Sequence, residues 1–172
     1  MRHDKACGTK PRLFSYAHAA RVNSQYRGMT YRNFKGYETL GVDWENFSAW
    51  LREKRLVVIY GKSFTGKTML ANIMMMHVIA EFMDRFPLEE SYQVFEQEDF
   101  SRYDDLLTFL DTDFAVFDRP DAMSPKMQRV LSRRYDHGLL SIVTAAPESV
   151  DWFTSEPSIQ ARYERARKIS LV

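Results

Sequence analysis

The sequence predicts an α/β fold built on a parallel sheet, and three observations carry that prediction. From about residue 42 onward, short β-branched segments alternate with longer helical ones, the order that lays helices on the faces of a parallel sheet. Leu56 to Tyr60 (LVVIY) is an unbroken apolar run, the pattern of a strand buried on both sides. A glycine-bearing turn, Gly61 to Thr68, joins that run to the longest apolar segment of the chain.

The remaining elements follow in chain order. Phe14 to Tyr26 reads as a short basic helix. Asp43 to Glu53 carries Trp44, Phe47, Trp50 and Leu51 at helical spacing, with Asp43 as its N-cap. Met69 to Phe86 is too long for a strand, has no internal Pro or Gly, and is predicted to be a helix ended by Pro87. Its Met74, Met75 and Met76 read with Ile73, Val78 and Ile79 as core packing. Tyr92–Phe95 and Phe114–Phe117 are further strands, with Leu106, Leu107 and Leu110 on a short helix between them. Ser124 to Asp136 is helical in pattern, Ser124 capping it and Pro125 in its first turn. Leu139–Thr144 (LLSIVT) and Lys168–Val172 (KISLV) complete the strands.

Composition narrows the class. The chain has 172 residues, 45% of them apolar, with 24 Lys+Arg against 23 Asp+Glu; this suits one compact domain and excludes disorder over the full length. The single cysteine, Cys7, allows no internal disulfide, and no apolar stretch suits a membrane span or a signal peptide. A cytoplasmic protein with no membrane partner is expected. Charge is uneven: residues 1–35 hold eight Lys/Arg (Arg2, Lys5, Lys10, Arg12, Arg21, Arg27, Arg32, Lys35) against Asp4 alone. We therefore expect a basic N-terminal extension over 1–35 and a core over 36–172. The histidines His3, His18, His77 and His137 are too scattered for a zinc site.

The chemistry lies in the turn. Gly61-Lys62-Ser63-Phe64-Thr65-Gly66-Lys67-Thr68 matches GxxxxGK[ST] at every fixed position, a Walker A phosphate loop. Glycines let successive backbone N–H groups face the phosphates, the helix that opens there through Met69 adds its positive end, and Lys67 reaches the terminal phosphates. Thr68 supplies a hydroxyl for magnesium. The partner of such a loop is an acid ending a hydrophobic strand. Phe114-Ala115-Val116-Phe117-Asp118 supplies it 50 residues after Thr68, making Asp118 the Walker B residue that orients the metal. ATP and Mg2+ are the expected ligands.

Several segments also resemble, in order, the DnaC/IstB-like helicase-loader group of AAA+ ATPases. Tyr31-Arg32-Asn33-Phe34 before a short helix is similar to that group's lead-in to its first strand. Arg134-Tyr135-Asp136-His137-Gly138 running into Ser141-Ile142-Val143-Thr144 resembles its arginine-tyrosine helix end and sensor strand, and Trp152 stands where a tryptophan commonly follows. Ser158-Ile159-Gln160-Ala161-Arg162-Tyr163 looks like its arginine-finger segment. The likeness spans roughly residues 30 to 172. It implies a three-layer P-loop sandwich with five parallel strands in the order 5-1-4-3-2, and Arg162 reaching the nucleotide of a neighbouring subunit in a homo- or hetero-oligomer; with Lys168–Val172 as the last strand, no C-terminal lid domain is expected, which suits that group. It further implies a replicative helicase, or another replication or transposition protein, as partner.

The sequence departs from that group at two places. A second acid that polarises the attacking water normally follows the Walker B aspartate, whereas here Arg119 follows. The sensor asparagine falls at Ala146, with Thr144 the nearest polar side chain. Phosphate binding is thus expected to outlast hydrolysis. Glu96, Glu98 and Asp121 are the acids available as substitutes. Phe14, Tyr16 and Tyr26 with Arg12, Arg21 and Arg27 could dock a partner or stack and pair with single-stranded DNA. A non-hydrolysing structural or regulatory subunit and a small-molecule kinase are the alternative readings.

Overall fold

A computed structural model of the chain describes residues 10–102, 107–119, 124–147, 153 and 157–172. Among the residues singled out above, Arg2, His3, Asp4, Lys5, Cys7, Leu106, Asp121 and Trp152 lie outside the described residues.

The core is a five-stranded sheet of β1 (Leu56–Gly61), β2 (Tyr92–Phe95), β3 (Phe114–Phe117), β4 (Leu140–Ala145) and β5 (Arg167–Leu171), in spatial order β2-β3-β4-β1-β5. Every neighbouring pair is parallel: Val58 faces Val143 and Lys168, Ala115 faces Ser141, and Val94 faces Val116. This is the order 5-1-4-3-2 that the resemblance implied. The two faces of the strands feed two separate cores, because successive side chains alternate across a sheet. Val57, Ile59, Val94, Val116, Ile142 and Ile169 pack with helices α1 (Lys10–Ala19), α2 (Phe47–Lys54) and α3 (Lys67–Phe82). Leu56, Val58, Phe95, Ala115, Phe117 and Val143 pack on the other side with α5 (Pro125–Asp136) and α6 (Pro157–Arg165). A short α4 (Gln97–Arg102) follows β2. The result is a three-layer α/β sandwich, and among the described residues there is no separate helical lid and no helix long and apolar enough to cross a membrane.

Element ends differ from the sequence expectation for local reasons. The longest helix starts at Lys67 rather than Met69, since Gly66 takes the left-handed conformation (φ 90°) that ends the loop. It stops at Phe82, four residues before the expected end; Arg85 and Phe86 then bond back to the Phe82 carbonyl in a turn ahead of Pro87. α2 starts at Phe47 because the Asp43 carboxylate accepts from the Asn46 backbone and side chain, forming a turn instead of a cap. The basic helix occupies Lys10–Ala19 and gives way at Arg21, whose φ is 61°; a separate 3-10 turn covers Ser24–Tyr26. Leu107 lies in a 3-10 turn over Leu107–Phe109. Ser124 caps α5 as expected, its Oγ accepting from Met127 N at 3.3 Å.

The basic segment packs against the sandwich. Tyr16, Ala17, Ala20 and Val22 are buried in the α3 core, Tyr16 donates its hydroxyl to the Pro87 carbonyl, and Val94 of β2 donates to Ala20 O at 2.8 Å. Its arginines are engaged too. Arg12 pairs with Asp84 at 3.1 Å, Arg21 grips buried Asp99 at 2.8 and 2.9 Å, and Arg27 donates to Val22 O.

Candidate functional site

The candidate site sits at the C-terminal ends of β1, β3 and β4, the position where open α/β sheets bind ligands. β1 ends at Gly61, and a glycine is required there: a Cβ would lie 2.3 Å from the Leu171 carbonyl oxygen of β5 and 2.9 Å from Thr65 Oγ1. The loop then turns through exposed Lys62, Ser63 and Phe64 before Gly66 admits α3. Thr65 stiffens it by donating its hydroxyl to Lys62 O at 2.9 Å. Lys67 folds back across the loop, its Nζ donating to the carbonyls of Gly61 and Lys62 at 2.6 Å each. Met69 sends its side chain to the α3 core; its contribution to the loop is through the first turn of the helix.

Thr68 and Asp118 meet although 50 residues separate them. Thr68 Oγ1 donates to Asp118 Oδ1 at 3.0 Å, and Asp118 is held as β3 ends by its own N–H bond to Phe95 O at 2.8 Å. The same Oδ1 accepts from Thr144 Oγ1 at 2.7 Å, and that hydroxyl in turn accepts from Arg119 N at 2.8 Å. Thr144 and Asp118 are both buried, while Arg119 is exposed with a left-handed φ of 50°. Arg119 therefore does stand beside the aspartate, where an acid would be needed to polarise water.

The donor set fits the ligands that the motif implies. A strand-to-helix loop with a lysine over it suits a phosphate chain. A hydroxyl and a carboxylate 3.0 Å apart are the hard oxygen donors from which magnesium takes one or two ligands. Among the described residues there is no cluster of His, Cys, Asp and Glu that would make a protein-only metal site.

Ala146 follows the end of β4 and brings no polar group, whereas Thr144 is the residue wired to Asp118. Glu96 and Glu98 follow β2, the edge strand, with β3 and β4 between them and the phosphate loop. Asp121 is outside the described residues. Arg162 is not brought to the loop. It forms a bidentate pair with Asp136, at 2.6 and 2.9 Å from Nη2 and 3.1 Å from Nε. Asp136 ends α5 just before β4 begins, so the pair lies at the opposite end of the sheet. Arg162 holds the Asp136 carboxyl below its ordinary range, first through the hydrogen bond and then through charge.

Two further residues tie the site to its surroundings. Asn72, one turn into α3 and buried, donates to Thr68 O at 2.8 Å and accepts from Asn23 N at 3.1 Å, so the basic segment is fastened to the phosphate helix. Phe34 lies against Gly66, its ring carbon 3.1 Å from where a Cβ would be. Phe34 carries no sequence signal beyond its place in the lead-in, and Asn72 none beyond its place in the helix after the loop.

This geometry defines a class: a P-loop α/β sandwich whose GxxxxGK[ST] loop is bonded through Thr68 to the aspartate that follows β3. Among solved structures the chain is similar to a crystal structure of the DnaC helicase loader, with a TM-score of 0.59 at 16% identity, covering 87% of this chain and 99% of that one. A structure of PCH-2 from C. elegans is similar with a TM-score of 0.45 at 16% identity, over 97% of this chain and 43% of that one. No protein-family model and no curated protein sequence matches the chain. The likeness to the helicase loader is thus one of fold.

Proposed function

We propose that the chain binds ATP with magnesium and uses it to assemble on a partner protein or DNA, in the manner of a helicase loader, with weak hydrolysis. The observation that carries this reading is the bond between Thr68 Oγ1 and Asp118 Oδ1, which aligns the two magnesium-type donors under an intact phosphate loop. In the proposed role Gly61, Lys62, Ser63, Phe64, Thr65 and Gly66 wrap the phosphates with backbone N–H groups, and Lys67 neutralises them after giving up its two loop carbonyls. Thr68 and Asp118 hold the metal, and Arg162 senses nucleotide in a neighbouring subunit. Magnesium held by Thr68 and Asp118 would supply positive charge that offsets the charge of the phosphates.

Weak turnover follows from Arg119 and Thr144. An arginine accepts no proton from water, and the Thr144 hydroxyl is already committed to Asp118 and Arg119 N. These same residues favour a second reading, a regulatory subunit that binds ATP and never hydrolyses it. Nucleotide binding and turnover measured on one purified sample, with and without single-stranded DNA, separates the two. Lys67→Ala should weaken MgATP binding by about a hundredfold, the loss expected when a buried phosphate contact is removed. Binding of unchanged strength in that variant would remove the nucleotide reading altogether, while wild-type turnover dependent on Lys67 would favour the motor over the silent subunit.

A further inference from the structure

Arg119 has two features that nothing so far accounts for. Its backbone is left-handed (φ 50°), a conformation that strains an arginine and that a glycine takes freely. It is also built in place: the N–H is anchored on Thr144 Oγ1 at 2.8 Å, and that hydroxyl is locked to Asp118 at 2.7 Å. A strained residue held by a buried relay beside a phosphate loop points to function rather than to chance. The side chain is exposed, and among the described residues no carboxylate pairs with its guanidinium. Arg119 directly follows the carboxylate that bonds Thr68, so its backbone stands one residue from the metal-type donors of the site.

We propose that Arg119 is the specificity-determining cation of the site, pairing with the terminal phosphate of a nucleoside triphosphate and so distinguishing it from a diphosphate. This rests on the nucleotide-binding reading above and deepens it. Guanidinium and phosphate match as planar donors and multiple acceptors. The loop N–H groups and the N-terminus of α3 serve a diphosphate and a triphosphate alike, whereas Lys67 and, in this proposal, Arg119 are the cations left for a third phosphate. The substitution of a cation for an acid then changes what the site does: it retains the triphosphate as a signal instead of activating water against it.

Calorimetric titration of the full chain with a non-hydrolysable ATP analogue and with ADP, both with magnesium, tests this in wild type, Arg119→Gly and Arg119→Lys. Glycine takes φ 50° without strain, so that variant removes the guanidinium and keeps the turn; its melting temperature should equal or exceed that of wild type. The expected result is a loss of about ten- to a hundredfold in affinity for the triphosphate, less than about twofold for ADP, and an intermediate loss in Arg119→Lys. Equal losses for both nucleotides, or none, would overturn the proposal while leaving the phosphate-loop reading intact. Wild type that binds neither nucleotide would overturn both.

Discussion

Arg134 shows how much one side chain can hold. It is completely buried near the end of α5 and donates to the carbonyls of Phe109, Thr112 and Leu140 at 2.7 to 2.8 Å and to Ser141 Oγ at 2.9 Å. These acceptors lie where the chain enters the interior strands β3 and β4, so the guanidinium satisfies carbonyls at the N-terminal ends of those strands. Burial pulls its pKa down to about 9, against the opposing charge of Asp113, and it stays protonated at neutral pH. Arg134→Met fills similar space but strands those acceptors, and should cost about 3–5 kcal/mol in urea unfolding; a loss below 1 kcal/mol would mean water replaces the bonds. The sequence shows this arginine only through the resemblance, because the spacing of an amphipathic helix marks its position as core without saying what it bonds. Thr144 was harder still to read. Its role depends on Asp118 and Arg119, which reach it through strand pairing; the sequence marks Thr144 only as the polar side chain nearest to Ala146.

At the scale of elements, α2 and α3 meet through aromatic rings. His77 of α3 lies edge-on to Tyr31, Trp44 and Phe47, with Nε2 facing the Trp44 carbonyl at 3.4 Å. Burial lowers its pKa below 6.5, the Trp44 carbonyl and Glu81 opposing the shift. The native state therefore binds less proton than the unfolded chain, and His77 contributes stability above pH 6.5 that is lost as pH falls through that value toward its folded pKa. Wild type should melt several degrees lower at pH 5 than at pH 7.5, and His77→Phe, which keeps the ring, should flatten that difference. An unchanged slope in the variant would place the titration elsewhere; Asp43 and Asp136, lowered from 3.8, titrate only below this window. The helices and strands themselves were legible because apolar periodicity is strong in buried elements: β2 and β3 run from Tyr92 to Phe95 and from Phe114 to Phe117 as expected. The ends of α2 and α3 were not, since they depend on the Asp43 turn, the Gly66 conformation and the return of Arg85 to Phe82, all of them local bonds that periodicity does not record.

The whole molecule separates what Arg162 could do alone from what it could do in an assembly. The order β2-β3-β4-β1-β5 was readable through the resemblance, and it puts the phosphate loop at one end of the sheet and the Arg162–Asp136 pair at the other. A sheet of six-residue strands holds those ends about 20 Å apart. Arg162 thus has no route to its own chain's loop, and the proposed role in sensing nucleotide needs a second molecule. The pair itself is partly exposed, at 24% for the Arg162 side chain and 55% for Asp136, so it should stabilise the monomer by less than about 1 kcal/mol. That small value makes the two roles separable. If the pair merely fastens α6 to α5, then Arg162→Ala and Asp136→Asn should have the same slight effect on melting and no effect on assembly. If Asp136 instead parks the arginine until a neighbour's nucleotide takes it over, Arg162→Ala should weaken ATP-dependent assembly by about tenfold or more, with monomer ATP affinity unchanged, whereas Asp136→Asn should leave assembly as strong or strengthen it. Sedimentation with and without a non-hydrolysable ATP analogue reads both variants, and parallel behaviour of the two would assign Arg162 to the α5–α6 contact alone.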